Sequence, residues 1–315
     1  MRYCNPKKET DLFSMLDHQQ AVTVQVKGIN KLNAVIDWEL FRQDLEALFG
    51  YDGRDPHRGG RPPFDPVLML KVLVLQKYHR LSDDEEEFQI MDRFSFLQFL
   101  GLQAGDKVPD AKTIWDFKQL LEKDGRDGSR KLFNRFAQML QGQGMLAKEG
   151  SIIAASFVAA PRQRNTREEN AQIKEGKRPE AFDPKTPKGR QKDCEARWAK
   201  KNNEVHYGYK NHAKVDAKTK LVSGYATTSA SVHDSQVFEQ LIDEDDEAVF
   251  ADSAYCSESS REHLLEKSCQ DFILFKATRN HPLSEEERAT NKMRSRIRVR
   301  CELSLIHISE PTRRT

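Results

Sequence analysis

Asp252 is the first residue whose surroundings predict chemistry. It follows the apolar run AVFA at 248–251 and precedes the small residues Ser253 and Ala254. This pattern places a carboxylate at the C-terminal end of a predicted strand, the edge of an open α/β sheet where ligands and metal ions gather. The alternative role for Asp252 is to cap the helical segment that follows.

A second acid, Glu302, ends the basic segment NKMRSRIRVRCE at 291–302. As a strand, the segment alternates Arg with Ser, Ile and Val; as a helix, it places Arg294, Arg298 and Glu302 at four-residue intervals on one face. A single Arg–Glu pair at that spacing is only weakly stabilising. Four arginines within seven residues therefore favour a helix that lies along a phosphate backbone.

Two carboxylates among basic segments predict phosphoryl transfer by two divalent cations about 3.5–4 Å apart. Such a centre commonly needs a third carboxylate, from the central strand, to bridge the cations. The matching segment is GSIIAASFVAAPRQRN at 150–165, a predicted strand that runs into a basic loop, and it contains no Asp or Glu. The residues alone leave open whether this strand is scaffolding or a site that has lost its acid.

Helical patterns dominate the chain up to about residue 147. Asp65-Pro66 predicts the start of one helix, Ser82 has the spacing of a capping box, and Asp110 begins another helix. Three short helices within 82–122 fit a helix-turn-helix DNA reader, and they fit ordinary helix packing equally well. Candidate phosphate contacts in this region are Lys112, Trp115, Lys118 and Lys123.

After Gly150 the pattern changes to strands that alternate with helices. Strands are predicted at 151–158, 205–217, 220–230, 248–255 and 271–277, with helices at 233–243 and 259–268. This order predicts a mixed α/β sheet rather than a sandwich or a barrel. The stretch 162–204 interrupts the sheet with charged residues, and we expect much of it to be disordered without a partner.

Charge is strongly segregated along a chain whose net charge is only +2. Residues 161–220 hold 17 Lys and Arg against 9 Asp and Glu. Separated basic stretches favour a polyanion bound at defined places, with ordinary solvated surface as the alternative.

The five cysteines are scattered without CxxC spacing, so we expect neither a zinc site nor a disulfide framework. We find no apolar run long enough to cross a membrane and no signal-peptide pattern, and we therefore expect a cytoplasmic protein.

Several motifs together resemble the insertion-sequence DDE transposases of the IS-five group, within the IS-four/IS-five superfamily. The resemblance covers roughly residues 10–302. The motifs are GRPPFDPVLMLKVLVLQ, LSDDEEEFQIMDRFSFLQFLGL, VPDAKTIWDF, APRQRNTREEN, RQKDCEARWAKKNNEVHYGYKNHAKVD, VHDSQVFEQL, ADSAY and RSRIRVRCE. The resemblance implies a helical N-terminal domain at 1–147, which binds DNA ends. It also implies a ribonuclease-H-like α/β catalytic domain at 148–302, with the basic insertion near 162–204.

The resemblance also implies roles for the acidic positions. Asp252 matches the second aspartate of the catalytic triad and Glu302 matches the glutamate, so both would hold Mg²⁺ or Mn²⁺ in a two-metal site. The first aspartate falls on Ala154. We therefore expect a weakened metal site and a copy that has lost several orders of magnitude in activity. Asp216 and Asp234 are the candidate acids to substitute for it, and we expect neither to do so.

The implied partners are double-stranded DNA, as terminal inverted repeats and target DNA, and a second copy of the chain in a synaptic homodimer. Tyr255, His233 and Asp234 are expected to support the site. The expected DNA contacts are Arg162, Arg164, Arg197, Trp198, Lys200, Lys201, Arg261, Arg294 and Arg298.

The segment LSLIHISEPTRRT at 303–315 does not resemble the family. It resembles the translation of an adaptor used in sequencing libraries, and we expect it to be foreign to a chain truncated after Glu302. Two other functions stay open: a non-catalytic DNA-binding remnant that competes for transposon ends, and a metal-dependent nuclease without strand transfer.

Overall fold

The computed structural model describes residues 17, 20, 21, 24, 28–50, 62–183, 185–201, 203–278 and 282–309, with the side chains of 124 and 300–309 excepted. The chain divides into two compact units, Met1–Phe136 and Ala137–Thr315. The sequence analysis placed the boundary later, between residues 147 and 148.

The first unit is helical in its described part. Its helices are α1 (Leu32–Val35), α2 (Arg42–Phe49), α3 (Pro66–His79), α4 (Asp83–Asp92), α5 (Phe94–Leu100) and α6 (Ala111–Glu122), and α7 (Gly128–Gly142) begins within it. The predicted caps form: Asp65 accepts from the amides of Val67 and Leu68, and Ser82 accepts from Glu85. A single apolar core holds the helices together. Its fully buried members include Leu45, Val72, Leu75, Ile90, Phe99 and Ile114.

The second unit is built on a six-stranded mixed sheet. The strands are β1 (Ser151–Ala159), β2 (Arg197–Lys201), β3 (Glu204–Asp216), β4 (Val222–Ser229), β5 (Ala248–Ala251) and β6 (Gln270–Asp271). Their order is β2-β3-β1-β5-β6, and β4 also pairs with β3. Strand β1 is antiparallel to β3 and parallel to β5. This mixed sheet with its flanking helices is the ribonuclease-H-like α/β fold that the resemblance implied.

Helices follow or interrupt the strands of the second unit. They are α8 (Arg167–Lys174), α9 (Pro187–Arg190), α10 (Phe238–Leu241), α11 (Glu258–Glu266) and α12 (Glu285–Ser309). The strand predicted at 271–277 ends at Asp271, although the amides of Phe272 and Leu274 still donate to the carbonyls of Val249 and Ala251.

The two faces of β1 pack against different cores because successive side chains of a strand point to opposite faces. Ile152 packs with Val215 and Phe250 on one face. Ile153 packs on the other face, in a cluster that contains Val249 and Tyr255. Ala154 has the same parity as Ile152. We call this side of the sheet the Ala154 face.

Helix α12 packs on the Ala154 face. It contacts both β1 and β5, and Phe272 stacks on Phe250 while the Arg294 guanidinium lies 5.5 Å from the Phe272 ring centre. The segment predicted to be a strand or a helix is therefore a helix, and its basic side chains are divided between the sheet and the solvent.

The insertion at 162–204 is folded where the structure describes it, so the expectation of disorder was wrong. Helix α8 begins at a capping box formed by Thr166 and Glu169. Phe182 is fully buried and Ile173 is buried, and the ammonium groups of Lys188 and Lys192 lie over the Phe182 ring. The charged composition of this segment predicted disorder, but these two apolar side chains are buried and favour a folded segment.

Candidate active site

Ala154 and Asp252 lie at neighbouring positions of two parallel strands. The register pairs Ile153 with Ala251, and Ala154 and Asp252 are the next residues on each chain. Neighbouring strands are about 4.8 Å apart, so side chains at these two positions are close enough to share a ligand. Position 154 presents a methyl group where a carboxylate would face Asp252.

Asp252 combines the two roles that the sequence left open. Its Oδ1 accepts a hydrogen bond of 2.7 Å from the amide of Ser253, so the carboxylate caps the short 3-10 helix Ser253–Tyr255. The same oxygen lies 3.6 Å from Nη1 of Arg298, and 43% of the Asp252 side chain remains exposed. A capping carboxylate that is this exposed still has surface to offer a substrate or an ion.

Arg298 connects α12 to this site. It is buried, in contrast to the exposed DNA contact that the sequence predicted. Glu302 lies one turn further along the same helix, and its side chain is outside the described part of the chain. The backbone of α12 thus places position 302 one helical turn beyond the residue that contacts Asp252.

Neither of the candidate acids to substitute for residue 154 lies at the site. Asp216 pairs with Ser151, at the far end of β1, and its carboxylate accepts from the amides of Lys148, Lys218 and Thr219. Asp234 is bound to the Lys210 ammonium at 2.8 Å, and Lys210 has the parity of the opposite face because it pairs with Phe157. Both carboxylates have structural partners of their own.

The described residues do not fit a two-metal site. Among the side chains that the structure describes, no group of three or more His, Cys, Asp or Glu converges to hold a metal ion. Ala154 has no donor atom, and Asp252 is shared between its own cap and Arg298. Two cations need a bridging carboxylate in addition to flanking ones, and position 154 cannot supply it.

Three of the predicted DNA contacts are engaged within the protein. The Arg197 guanidinium donates to the carbonyls of Cys194, Ala196 and Ile173. Arg294 donates to the carbonyl of Ile273, and Arg261 lies 3.5 Å from Asp271. These guanidinium groups have partners within the protein, although 40% of the Arg261 side chain remains exposed.

Apart from the buried Arg298, the remaining predicted contacts are exposed. Trp198 is 52% exposed, and the Arg162 guanidinium lies 5.5 Å from its ring centre. The other exposed members of the set are Arg164, Lys200 and Lys201.

An exposed basic stripe on α12 lies outside the set of DNA contacts predicted from the sequence. Arg288, Lys292 and Arg296 are exposed at four-residue spacing, and none of them forms an ion pair with the residues that the structure describes. We call these three residues the α12 stripe. Helical periodicity was the available clue, but it could not show whether this face or the Arg294–Arg298 face packs on the sheet.

Tyr255, His233 and Asp234 have structural partners. Tyr255 is buried and its hydroxyl lies 3.1 Å from Nδ1 of His212. Burial, together with the carboxylates of Asp234 and Asp252, raises the pKa of Tyr255 well above its usual range. His233 caps the 3-10 helix Asp234–Val237. These contacts lie within the protein, and Tyr255 has almost no surface for DNA.

The fold and the acid-bearing strand edge define a ribonuclease-H-like α/β domain preceded by a helical unit. Comparison with protein families gives the more particular result. Residues 151–308 match the model described as Transposase DDE domain, and residues 17–120 match the Transposase domain (DUF772). The first of these matches covers half of the chain, and the chain therefore belongs to the DDE transposase family. No solved structure matches the chain.

The family membership makes the protein a DNA transposase by lineage. In the described part of the chain, no helix has the length and apolar character that crossing a membrane requires.

Proposed function

We propose that this chain is an insertion-sequence transposase of the IS-five group that binds its DNA ends but has lost strand cleavage. Its relatives would bind terminal inverted repeats, cut at the element ends with Mg²⁺ or Mn²⁺, and join the freed ends to target DNA. This copy would keep the binding step, act in the cytoplasm on chromosomal DNA, and pair two ends as a homodimer.

One observation carries the proposal of lost cleavage: Ala154 lies opposite Asp252 at the end of a parallel strand pair. The bridging position of a two-metal centre therefore holds a methyl group. Without that ligand both the affinity and the geometry of the cations are lost. We expect cleavage to fall by several orders of magnitude, because two-metal catalysis depends on clamping the attacking and the leaving oxygen together.

DNA binding is supported by the exposed cations of the second unit. Arg162, Lys200 and Lys201 are exposed around Trp198, and the α12 stripe is exposed on the helix that carries Arg298. Neutralisation of phosphates by such groups gives sequence-independent affinity that falls with salt. A chain that retains these groups without a metal site would occupy transposon ends and compete with active relatives.

The test is to restore the missing carboxylate with Ala154→Asp and to use Ala154→Asn as the matched control. Asparagine has the same shape as aspartate but no ionised oxygen pair. Mn²⁺ binding is measured by titration calorimetry on the full chain, and nicking of terminal-repeat DNA is measured with Mg²⁺ or Mn²⁺. We expect only Ala154→Asp to bind Mn²⁺ more tightly than the parent, by at least tenfold. A tenfold gain in affinity corresponds to about 1.4 kcal/mol of binding free energy.

Two results would refute the proposal. Equal Mn²⁺ affinity of the parent and of Ala154→Asp, or nicking above background that is equal for the two, would show that position 154 is not the missing ligand. Equal gains in Mn²⁺ affinity for the Asp and Asn variants would show that the effect does not come from a carboxylate.

A further inference from the structure

The Ala154 face continues beyond the candidate active site as an exposed apolar and aromatic strip. Along β1, Val158 follows Ala154 on the same face and is 48% exposed. Val158 pairs with Tyr209 of β3, and Trp198 of β2 pairs with Tyr207. We call the residues Val158, Trp198, Val205, Tyr207 and Tyr209 the aromatic strip.

Strand parity places the strip on the Ala154 face. The β1–β3 register is unbroken from Ser151 to Ala159, and the β2–β3 register is unbroken from Arg197 to Lys201. Residues paired across antiparallel strands point to the same face. Val158 lies about 13 Å along β1 from Ala154, at roughly 3.3 Å per residue. The strip and Asp252 are thus presented on one surface of one sheet.

Trp198 is the most accessible ring of the strip. Its ring centre lies 4.8 Å from that of Tyr207, and the Arg162 guanidinium lies 5.5 Å from it. Val205, next to Tyr207, is 53% exposed. The carboxylate of Asp193 accepts from the Tyr209 hydroxyl at 2.6 Å, and Glu195 lies close enough to raise the pKa of Tyr209 as well. Aromatic area therefore combines with cations, and the Asp193 carboxylate is held by a strip residue.

This combination distinguishes between two forms of DNA. In a duplex the faces of the bases are covered by their neighbours, so an exposed ring can reach a base only if the base leaves the stack. Unpaired bases stack on aromatic side chains while nearby cations follow the backbone. The exposed cations at the strip are Arg162 and Lys200.

We propose that the aromatic strip binds unpaired nucleotides of DNA, with Trp198 as the stacking platform. The inference rests on the proposed function to the extent that the ligand is DNA, and it adds that this surface takes single strands. An unpaired segment held here would extend from the Asp252 end of the sheet towards the insertion. The strip thus positions DNA that has been opened next to the cleavage point.

The chain offers a matched control for Trp198. Trp115 of α6 is also half-exposed, and the Lys112 ammonium lies 4.2 Å from its ring centre. Like Trp198, it is an indole ring with a cation over it, but it lies on a helix rather than beside the Ala154 face. Trp198→Ala and Trp115→Ala therefore remove the same side chain from two different surfaces.

The experiment measures fluorescence anisotropy of two labelled probes bound to the full chain: an oligothymidylate of about 12 nucleotides and a fully paired duplex. We expect Trp198→Ala to weaken oligothymidylate binding roughly 5- to 100-fold, the range for loss of one stacked base. Duplex affinity should change less than about twofold, within the scatter of surface substitutions. Trp198→Phe should retain most of the binding, and Trp115→Ala should leave the oligothymidylate affinity unchanged.

The outcomes separate this inference from the proposed function. An equal loss for both probes with Trp198→Ala, or no loss for either, would overturn single-strand recognition and leave DNA binding intact. A parent chain that binds oligothymidylate but not duplex ends would support the strip and contradict the proposed function. Equal losses of oligothymidylate affinity for Trp198→Ala and Trp115→Ala would also overturn the aromatic strip as a distinct binding surface.

Discussion

Glu86 is a buried acid in the helical unit, and it should make the stability of that unit depend on pH. The residue is fully buried in α4, and neither carboxylate oxygen has a hydrogen-bond partner among the described residues. Burial raises the pKa of Glu86 from 4.5 to about 7. A buried carboxylate without a partner favours its protonated form because its charge would be poorly solvated.

The sign and size of the effect follow from this pKa. The folded state holds the proton more tightly than the unfolded state, so the stabilisation is complete below pH 4.5 and is lost as the pH rises through about 7. The difference between these two pKa values corresponds to about 3 kcal/mol. Glu86→Gln mimics the protonated acid at every pH and should remove this dependence.

The assay is urea unfolding of the full chain, followed by helical circular dichroism, at pH near 5 and near 8. We expect Glu86→Gln to resemble the parent at the lower pH and to exceed its free energy of unfolding by about 2–3 kcal/mol at the higher pH. The control is Asp92→Asn, which removes an exposed acid from the same helix. Parallel pH profiles for the parent and for Glu86→Gln would refute the reasoning.

Three further predictions concern the second unit. The double variant Lys292→Gln/Arg296→Gln should lower the slope of log affinity against log salt concentration for duplex DNA by about 2. The charge-matched double variant Lys218→Gln/Lys220→Gln should leave this slope unchanged. Equal slopes for the two double variants would exclude the α12 stripe as a phosphate contact. Phe182→Ala should lower the local stability of the insertion by about 3–5 kcal/mol. Hydrogen exchange should then show lost amide protection within 167–201 while β1 stays protected. Unchanged exchange would show that Phe182 does not stabilise the insertion. Lys214→Met should lower the free energy of unfolding of the sheet unit by about 3–5 kcal/mol in urea. The Lys214 ammonium lies 2.6 Å from the buried Asp246 carboxylate, which would be left without its partner. An unchanged unfolding midpoint would contradict that pairing.

Much of the fold could be predicted from the sequence because local chemistry specifies it. Asp65, Ser82 and Asp110 are suited to cap helices by their side-chain oxygens, and each does so. The short apolar run in 151–158 predicted β1 within one residue of its observed end. The folding of the insertion was not predicted, because its charged composition indicates disorder although Phe182 and Ile173 are buried in the structure.

The same limit separates the two groups of basic residues on α12. The sequence shows arginines at regular spacing, and it names Arg294 and Arg298 as readily as Lys292 and Arg296. Contact with the sheet decides between them: Arg294 donates to the Ile273 carbonyl and Arg298 is buried beside Asp252, whereas the α12 stripe faces outwards.

The sequence by itself determined which residues are present: an acid at position 252, an alanine at position 154, and motifs sufficient to indicate a DDE transposase. Only the tertiary structure decided which of them meet. A parallel register between strands almost a hundred residues apart sets Ala154 beside Asp252, and strand parity extends that face to Trp198. Such contacts depend on pairing between distant segments, and neither propensity nor local spacing encodes that pairing.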